Sequence, residues 1–191
     1  MLSWIARTLF HLSGWRVVGD APRQLQKAIW IVAPHATSWD LIVGLGARSV
    51  LGIPIGFLGK KELFTPWLGW FFRAMGGHPV DRGRQQNLVE AEADFIRHHS
   101  QIHIAIAPEG TRGDVSELKT GFYRIARLAG VPIVMVGFDY PRKRIILREP
   151  YWPSGNWIAD RSEVAAFYNT IPGVKKKWVQ AYLLPQTSPN Q

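Results

Sequence analysis

The chain contains no cysteine. That excludes a disulfide framework, a thiol nucleophile and a cysteine-ligated metal, and nothing argues for an oxidising compartment. No apolar run is long and uninterrupted enough to cross a bilayer as a helix. No internal repeat of solenoid length is present, and no shift in composition marks a linker. No serine stands in a G-x-S-x-G setting. Acidic residues are scarce, 14 against 23 Lys and Arg, which leaves a net charge of +9. Such a chain seeks polyanions: nucleic acid, an anionic membrane or phosphorylated substrates. What is plentiful is apolar and aromatic. Of 191 residues 47% are hydrophobic and nine are tryptophan, enough for one domain with a sizeable core. Tryptophan suits a membrane interface, where its ring is buried and its N–H stays wet. It also stacks on nucleic-acid bases, or simply fills a core.

Apolar runs at Ala28 to Val32, Ile55 to Gly59, His78 to Asp81, Ile102 to Ala107, Val131 to Phe138 and Arg144 to Leu147 read as strands. Between them Ser38 to Leu45, Glu62 to Met75, Gln85 to His99 and Gly121 to Leu128 read as helices, with another around Ile158 to Tyr168. Strands alternating with helices predict an α/β fold: a single domain with a largely parallel or mixed central sheet flanked by helices. Residues 1 to 18 predict an amphipathic helix, Leu2, Ile5, Leu9 and Leu12 on one face and Ser3, Arg7, His11 and Gly14 on the other. It either lies in a membrane interface or packs on its own domain. The expected organisation is residues 1–20 as this helix, 21–185 as the globular domain and 186–191 as a polar tail. The basic run Lys175 to Lys177 reads as a solvated face.

The stretch IVAPHATSWDLIVGL, residues 31 to 45, carries the strongest chemical signal. Pro34 ends a strand, Ser38 suits a helix N-cap, and His35 falls in the turn between. On one helix, five residues are about 500° of rotation, so His35 and Asp40 would not share a face. With the histidine in the turn they can meet. A carboxylate at a helix N-terminus stays ionised, fixes the imidazole tautomer and stabilises the imidazolium. That makes a general base. The plainer alternative is a capping aspartate beside a structural histidine.

Two strand ends look alike: IWIVAPH and IAIAPEG each run through Ala-Pro to an ionisable residue. Parallel strands bring their C-terminal ends to one edge, where open α/β sheets bind ligands. That edge would carry His35 and Glu109, with Lys60 and Arg82 after neighbouring strands and Gly110, Thr111 and Arg112 in the following loop. Such a set suits a phosphate-bearing acceptor, since Arg binds phosphate as a fork and Lys as a point charge.

HATSWD resembles the H-x4-D motif of the glycerolipid acyltransferases, the 1-acylglycerol-3-phosphate O-acyltransferases, and PEGTR resembles their E-G-T-R motif. GGHPVDR resembles the family's intermediate motif, VPIVMVGF its fourth, and KKELF and LKTGFYRIA its linking segments. The matches lie in order over residues 31 to 138. The resemblance implies that His35 is the base on a lysolipid hydroxyl, with Asp40 orienting it. It implies that Arg82, Glu109, Gly110, Thr111 and Arg112 shape the acceptor site, with Lys60 and Lys119 beside them. The donor would be a fatty-acyl thioester on coenzyme A or acyl carrier protein, with no cofactor, no metal and no covalent acyl-enzyme. Partners would be the lysophospholipid, the acyl carrier and an anionic membrane surface rather than nucleic acid. Attachment would be peripheral, on the cytoplasmic face. A hydrolase using the same pair, or a non-enzymatic basic membrane-binding protein, are the competing readings.

Overall fold

The computed structural model describes residues 2–35, 37, 39–80, 88–111, 113–172 and 176–184. The elements run α1 (Leu2–Leu12), β1 (Arg16–Val18), β2 (Lys27–Ala33), α2 (Trp39–Leu51), β3 (Ile55–Lys60), α3 (Gly69–Ala74), β4 (Gly77–Val80), α4 (Leu88–His98), β5 (Ile102–Ile106), α5 (Gly121–Ala129), β6 (Ile133–Asp139), β7 (Arg144–Leu147), α6 (Trp157–Asn169) and α7 (Lys177–Leu183). The sheet has seven strands in the order β1-β7-β6-β2-β5-β3-β4. Every pairing is parallel except β6 with β7. The α/β architecture with a mixed sheet is therefore as the alternation of elements implied.

Strand order and handedness decide which helices share a face. The steps β2 to β3 and β3 to β4 run the same way across the sheet, so right-handed crossovers put α2 and α3 on one side. The steps β4 to β5 and β5 to β6 run back, which puts α4 and α5 on the other. Strand β2 alternates accordingly. Ile29, Ile31 and Ala33 join the core under α4 to α7 with Ile104, Phe122, Tyr168 and Trp178. Ala28 and Trp30 join a second core with Ala47, Leu51, Val134 and Val136.

Helix α1 packs on its own domain and keeps a second, apolar face exposed. Phe10 and Trp15 are buried in the second core, while Trp4, Ile5, Leu9 and Leu12 face outward. Gly46 of α2 makes this packing possible: a Cβ there would lie 2.6 Å from Phe10 Cδ2. The helix expected over residues 1 to 18 ends at Leu12, and residues 16–18 form the edge strand β1.

Other differences have local causes. The predicted helix from Glu62 to Met75 divides into a 3-10 turn at Lys61–Leu63 and the short α3. Pro66 lacks an N–H and holds Thr65 out of the helical region. Helix α7 lies in the segment read only as a basic run followed by a tail, and it docks Trp178, Val179 and Tyr182 into the main core. Among the described residues no helix is long and apolar enough to cross a membrane.

Candidate active site

His35 lies two residues beyond β2, and Asp40 is the second residue of α2. The turn brings them together: His35 Nδ1 is 2.9 Å from Asp40 Oδ2. Ser38, the expected N-cap, lies outside the described residues. At the start of α2 the hydroxyl of the neighbouring Thr37 accepts from Trp39 N at 3.1 Å. Thr37 also donates to both oxygens of Asp40, from N to Oδ2 at 3.0 Å and from Oγ1 to Oδ1 at 3.1 Å. Tyr140, just past β6, donates its hydroxyl to Asp40 Oδ1 as well. Asp40 is 5% exposed, a buried carboxylate stabilised by a ring of donors. With Nδ1–H directed to Asp40, the imidazole lone pair is on Nε2. Nε2 has no hydrogen-bond partner among the described residues. An imidazole so placed can act as a general base through Nε2.

Glu109 follows β5, the parallel neighbour of β2, and the register sets Ile31 opposite Ile106. The two loops therefore leave the same sheet edge side by side. Glu109 is 1% exposed and turned inward. Its Oε2 accepts from the backbone N–H of His35 at 2.8 Å, and its Oε1 accepts from Trp178 Nε1 at 3.0 Å. Lys176 Nζ stands 3.5 Å from the same Oε1. The sequence grouped Glu109 with the acceptor-shaping residues. In the structure its carboxylate braces the histidine turn from below, tying it to the start of α7.

Of the remaining expected residues, Gly110, Thr111 and Lys119 line one cleft with His35. Gly110 has φ +66°, and a Cβ on it would meet Lys119 Cδ and Cε at 2.7 Å. Glycine thus satisfies both the left-handed backbone and the close passage of the lysine chain. Lys119 N donates to Pro108 O at 2.9 Å, fixing where that chain begins. Arg82 and Arg112 lie outside the described residues. Lys60 closes β3, and its side chain lies outside the described part.

Two cavities meet at the histidine. One, of about 250 Å³, lies on the α2 side and is lined by Leu41, Leu45, Leu51, Phe57, Met75 and Val136, with His35 and Asp40. The other, of about 610 Å³, lies on the α4 and α5 side and is more polar, with Glu92, Thr111 and Lys119 beside Leu88, Val89 and Phe122. His35 belongs to both. An apolar chain and a polar head can therefore reach one imidazole from opposite faces of the sheet.

Sequence reasoning missed Tyr140, Lys176 and Trp178. Tyr140 carried a usable signal: β6 is parallel to β2 with Ala33 opposite Gly137, so a polar residue just past β6 belongs to the same edge. Lys176 and Trp178 carried none. Their segment comes after the sheet is complete, and only packing brings α7 under Glu109. Lys176 had been read as part of a solvated face, yet its side chain is 12% exposed and paired.

The comparisons with known proteins agree with this architecture. A family model described as Acyltransferase matches residues 15–139. The 1-acyl-sn-glycerol-3-phosphate acyltransferase of Streptococcus pneumoniae is 31% identical over 154 residues, which are 75% of this chain and 57% of that protein. The Escherichia coli protein of the same name is 30% identical over 111 residues, 55% of this chain and 44% of its own. Lysophosphatidylcholine acyltransferase 2 of Rattus norvegicus is 31% identical over 148 residues, 74% of this chain and 26% of its own. The chain thus spans about half the length of the bacterial relatives and a quarter of the mammalian one. Among solved structures, the 1-acyl-sn-glycerophosphate acyltransferase from Thermotoga maritima matches with a TM-score of 0.54 at 20% identity, covering 81% of this chain and 68% of that one. At that identity the likeness is one of fold. The family match covers most of the strands, the histidine turn and the Glu109 loop, and the chain belongs to the acyltransferase family.

Proposed function

We propose that the protein transfers a fatty-acyl group from a thioester, carried by coenzyme A or acyl carrier protein, to the hydroxyl of a lysophospholipid such as 1-acylglycerol-3-phosphate. The observation that carries this reading is the His35–Asp40 pair, 2.9 Å apart, at the meeting of an apolar and a more polar cavity. His35 Nε2 takes the proton of the acceptor hydroxyl as its oxygen bonds to the thioester carbonyl carbon. Asp40 stabilises the imidazolium that forms. Collapse of the tetrahedral intermediate breaks the carbon–sulfur bond, and the departing thiolate recovers the proton from His35. Glu109 takes no part in proton transfer; it holds the turn from which His35 projects.

The cavity lined by Leu41, Leu45 and Leu51 suits an acyl chain, because its lining is apolar. The cleft with Thr111 and Lys119 suits an anionic head group, which Arg82 and Arg112 would grip as forks. Lipid mass spectrometry with a panel of lysolipids and acyl thioesters is the decisive experiment. The expected result is a diacyl product formed only when acceptor and thioester are both present. Thioester consumed equally without acceptor would identify a hydrolase instead.

Both substrates carry acyl chains, so the enzyme must meet a bilayer, and the side bearing α1, α2 and α3 is suited to it. Trp4, Leu9 and Leu12 on α1, Trp39 on α2, and Trp67 and Trp70 about α3 are all exposed. Apolar residues clustered on one side of a basic protein mark an interfacial surface. The excess of Lys and Arg favours the anionic cytoplasmic leaflet, where a coenzyme A or carrier-protein thioester would also be met. Substituting the exposed residues tests this better than truncation, because Phe10 and Trp15 belong to the core. Burying a large apolar side chain contributes roughly 1.5 to 3 kcal/mol. Each change among Trp4→Ser, Leu9→Ser, Trp67→Ser and Trp70→Ser should therefore weaken binding to anionic liposomes by about tenfold or more. Co-sedimentation reads the effect, and unchanged sedimentation in the combined variant would move the membrane contact elsewhere.

A further inference from the structure

We propose that Tyr140 is a positioning residue of the transfer reaction: its hydroxyl holds one oxygen of Asp40 and thereby sets the basicity of His35. This rests on the reading of His35 as the general base and adds a third member to the pair.

The geometry divides the work between the two carboxylate oxygens. Oδ2 faces His35 Nδ1 and Thr37 N, whereas Oδ1 receives the hydroxyls of Thr37 and Tyr140. The phenol oxygen lies 3.4 Å from Thr37 Oγ1, so the two hydroxyls converge on one point. Tyr140 does not reach this place by chance of rotamer. Its ring stacks on Phe138 with centroids 6.0 Å apart and planes at 20°, and meets Trp15 edge-on at 5.3 Å and 87°. The turn that carries it is tied down in turn: Lys143 Nζ donates to Ser13 O at 3.0 Å, and Arg16 N donates to Lys143 O at 3.0 Å. The hydroxyl is thus presented by a fixed ring on a fixed turn.

A donor on Asp40 withdraws charge that would otherwise stabilise the imidazolium. Removing that donor should leave Asp40 better able to hold the imidazolium. Burial first, and then the hydrogen bond to Asp40, push the Tyr140 phenol up to about 12. It therefore stays protonated, and stays a donor, wherever the imidazole titrates. Among the described residues other titratable or charged groups stand around the pair, and Glu92 on α4 and Lys119 just before α5 line the cleft that His35 shares. Glu109, in the loop after β5, accepts from His35 N with Lys176 behind it. Arg48, on α2, lines the cavity that contains both His35 and Asp40. None of them touches Asp40 Oδ1, so the change at Tyr140 can be read separately.

The test is the pH dependence of kcat/KM in the full chain, for wild type, Tyr140→Phe and a form with 3-fluorotyrosine at position 140. Phenylalanine keeps the ring contacts and removes only the hydroxyl. The acid limb, set by protonation of His35, should move to higher pH by about 0.5 to 1 unit, so activity below the limb falls roughly three- to tenfold. Fluorination makes the phenol a stronger donor, and the limb should move to lower pH. A limb in Tyr140→Phe that stays in place or moves down overturns the proposal, whatever the loss in rate. Should Tyr140→Phe not fold, the fluorinated form decides, and an unmoved limb overturns the proposal there too. The underlying reading fails differently: His35→Ala would then retain near-normal turnover. An inactive His35→Ala beside an unmoved limb assigns the failure to Tyr140 alone.

Discussion

His35→Ala will lower acyl transfer by ~10² to 10⁴-fold, the usual contribution of a general base, and leave the protein folded. Both halves follow from the geometry. The side chain is about one-third exposed, so its removal opens no cavity in either core. The contact that braces the turn uses the backbone N–H of residue 35, which alanine retains, so Glu109 keeps its partner at 2.8 Å. Asp40→Asn should cost nearly as much activity and some stability besides. The aspartate receives His35 Nδ1, Thr37 N, Thr37 Oγ1 and the Tyr140 hydroxyl. An amide must turn a donor toward one of these donors, and if it faces Nδ1 the ring takes the wrong tautomer for a base at Nε2. Thioester turnover with thermal unfolding of the same samples checks both variants. A His35→Ala protein with ordinary turnover would remove the base from the mechanism.

Glu109→Ala should do its damage first to stability. Its carboxylate is the common acceptor for His35 N, Trp178 Nε1 and Lys176 Nζ, all at the foot of the histidine turn. Removing one partner of a buried ion pair typically costs about 3 to 5 kcal/mol, because the other charge remains buried. For a chain of this size that is roughly 6 to 20 °C in Tm, at ~2 to 4 °C per kcal/mol. Glu109→Gln keeps an acceptor and loses the charge, so its loss should be smaller. Pairing it with Lys176→Met removes the orphaned amine and should recover part of the deficit. Transfer should fall through kcat, since the turn that aims His35 loosens. The opposite pattern, a raised acceptor KM with unchanged Tm, would return Glu109 to the role the motif alone suggested, a direct contact to substrate.

The contrast between these residues marks how much the sequence can carry. His35 and Asp40 were legible together because their meeting is local, a turn followed at once by the first turn of a helix. The strands were legible because buried parallel strands are continuous apolar runs, and β2, β5 and β6 are of that kind. Strand β1, three residues long and partly exposed, has no such run and was absorbed into the preceding helix. That His35 and Glu109 share an edge followed from parallel pairing. Which way Glu109 points did not, because its partners at the start of α7 lie 67 and 69 residues further on.

Composition and periodicity determined the α/β class, the excess of positive charge and the apolar strands, and the local turn with its motif resemblance picked out the candidate base. Strand order decided the rest. Placing β6 beside β2 carried Tyr140 to an aspartate 100 residues away. Placing α1, α2 and α3 on one side brought the exposed Trp4, Trp39, Trp67 and Trp70 to that side. Docking α7 turned Lys176 from an apparent surface charge into the counter-ion of Glu109. The amphipathic pattern of α1 specifies an apolar stripe but not what meets it. Phe10 packs on Gly46 and the stripe faces out, because only the assembled sheet fixes which side of each helix is left to cover.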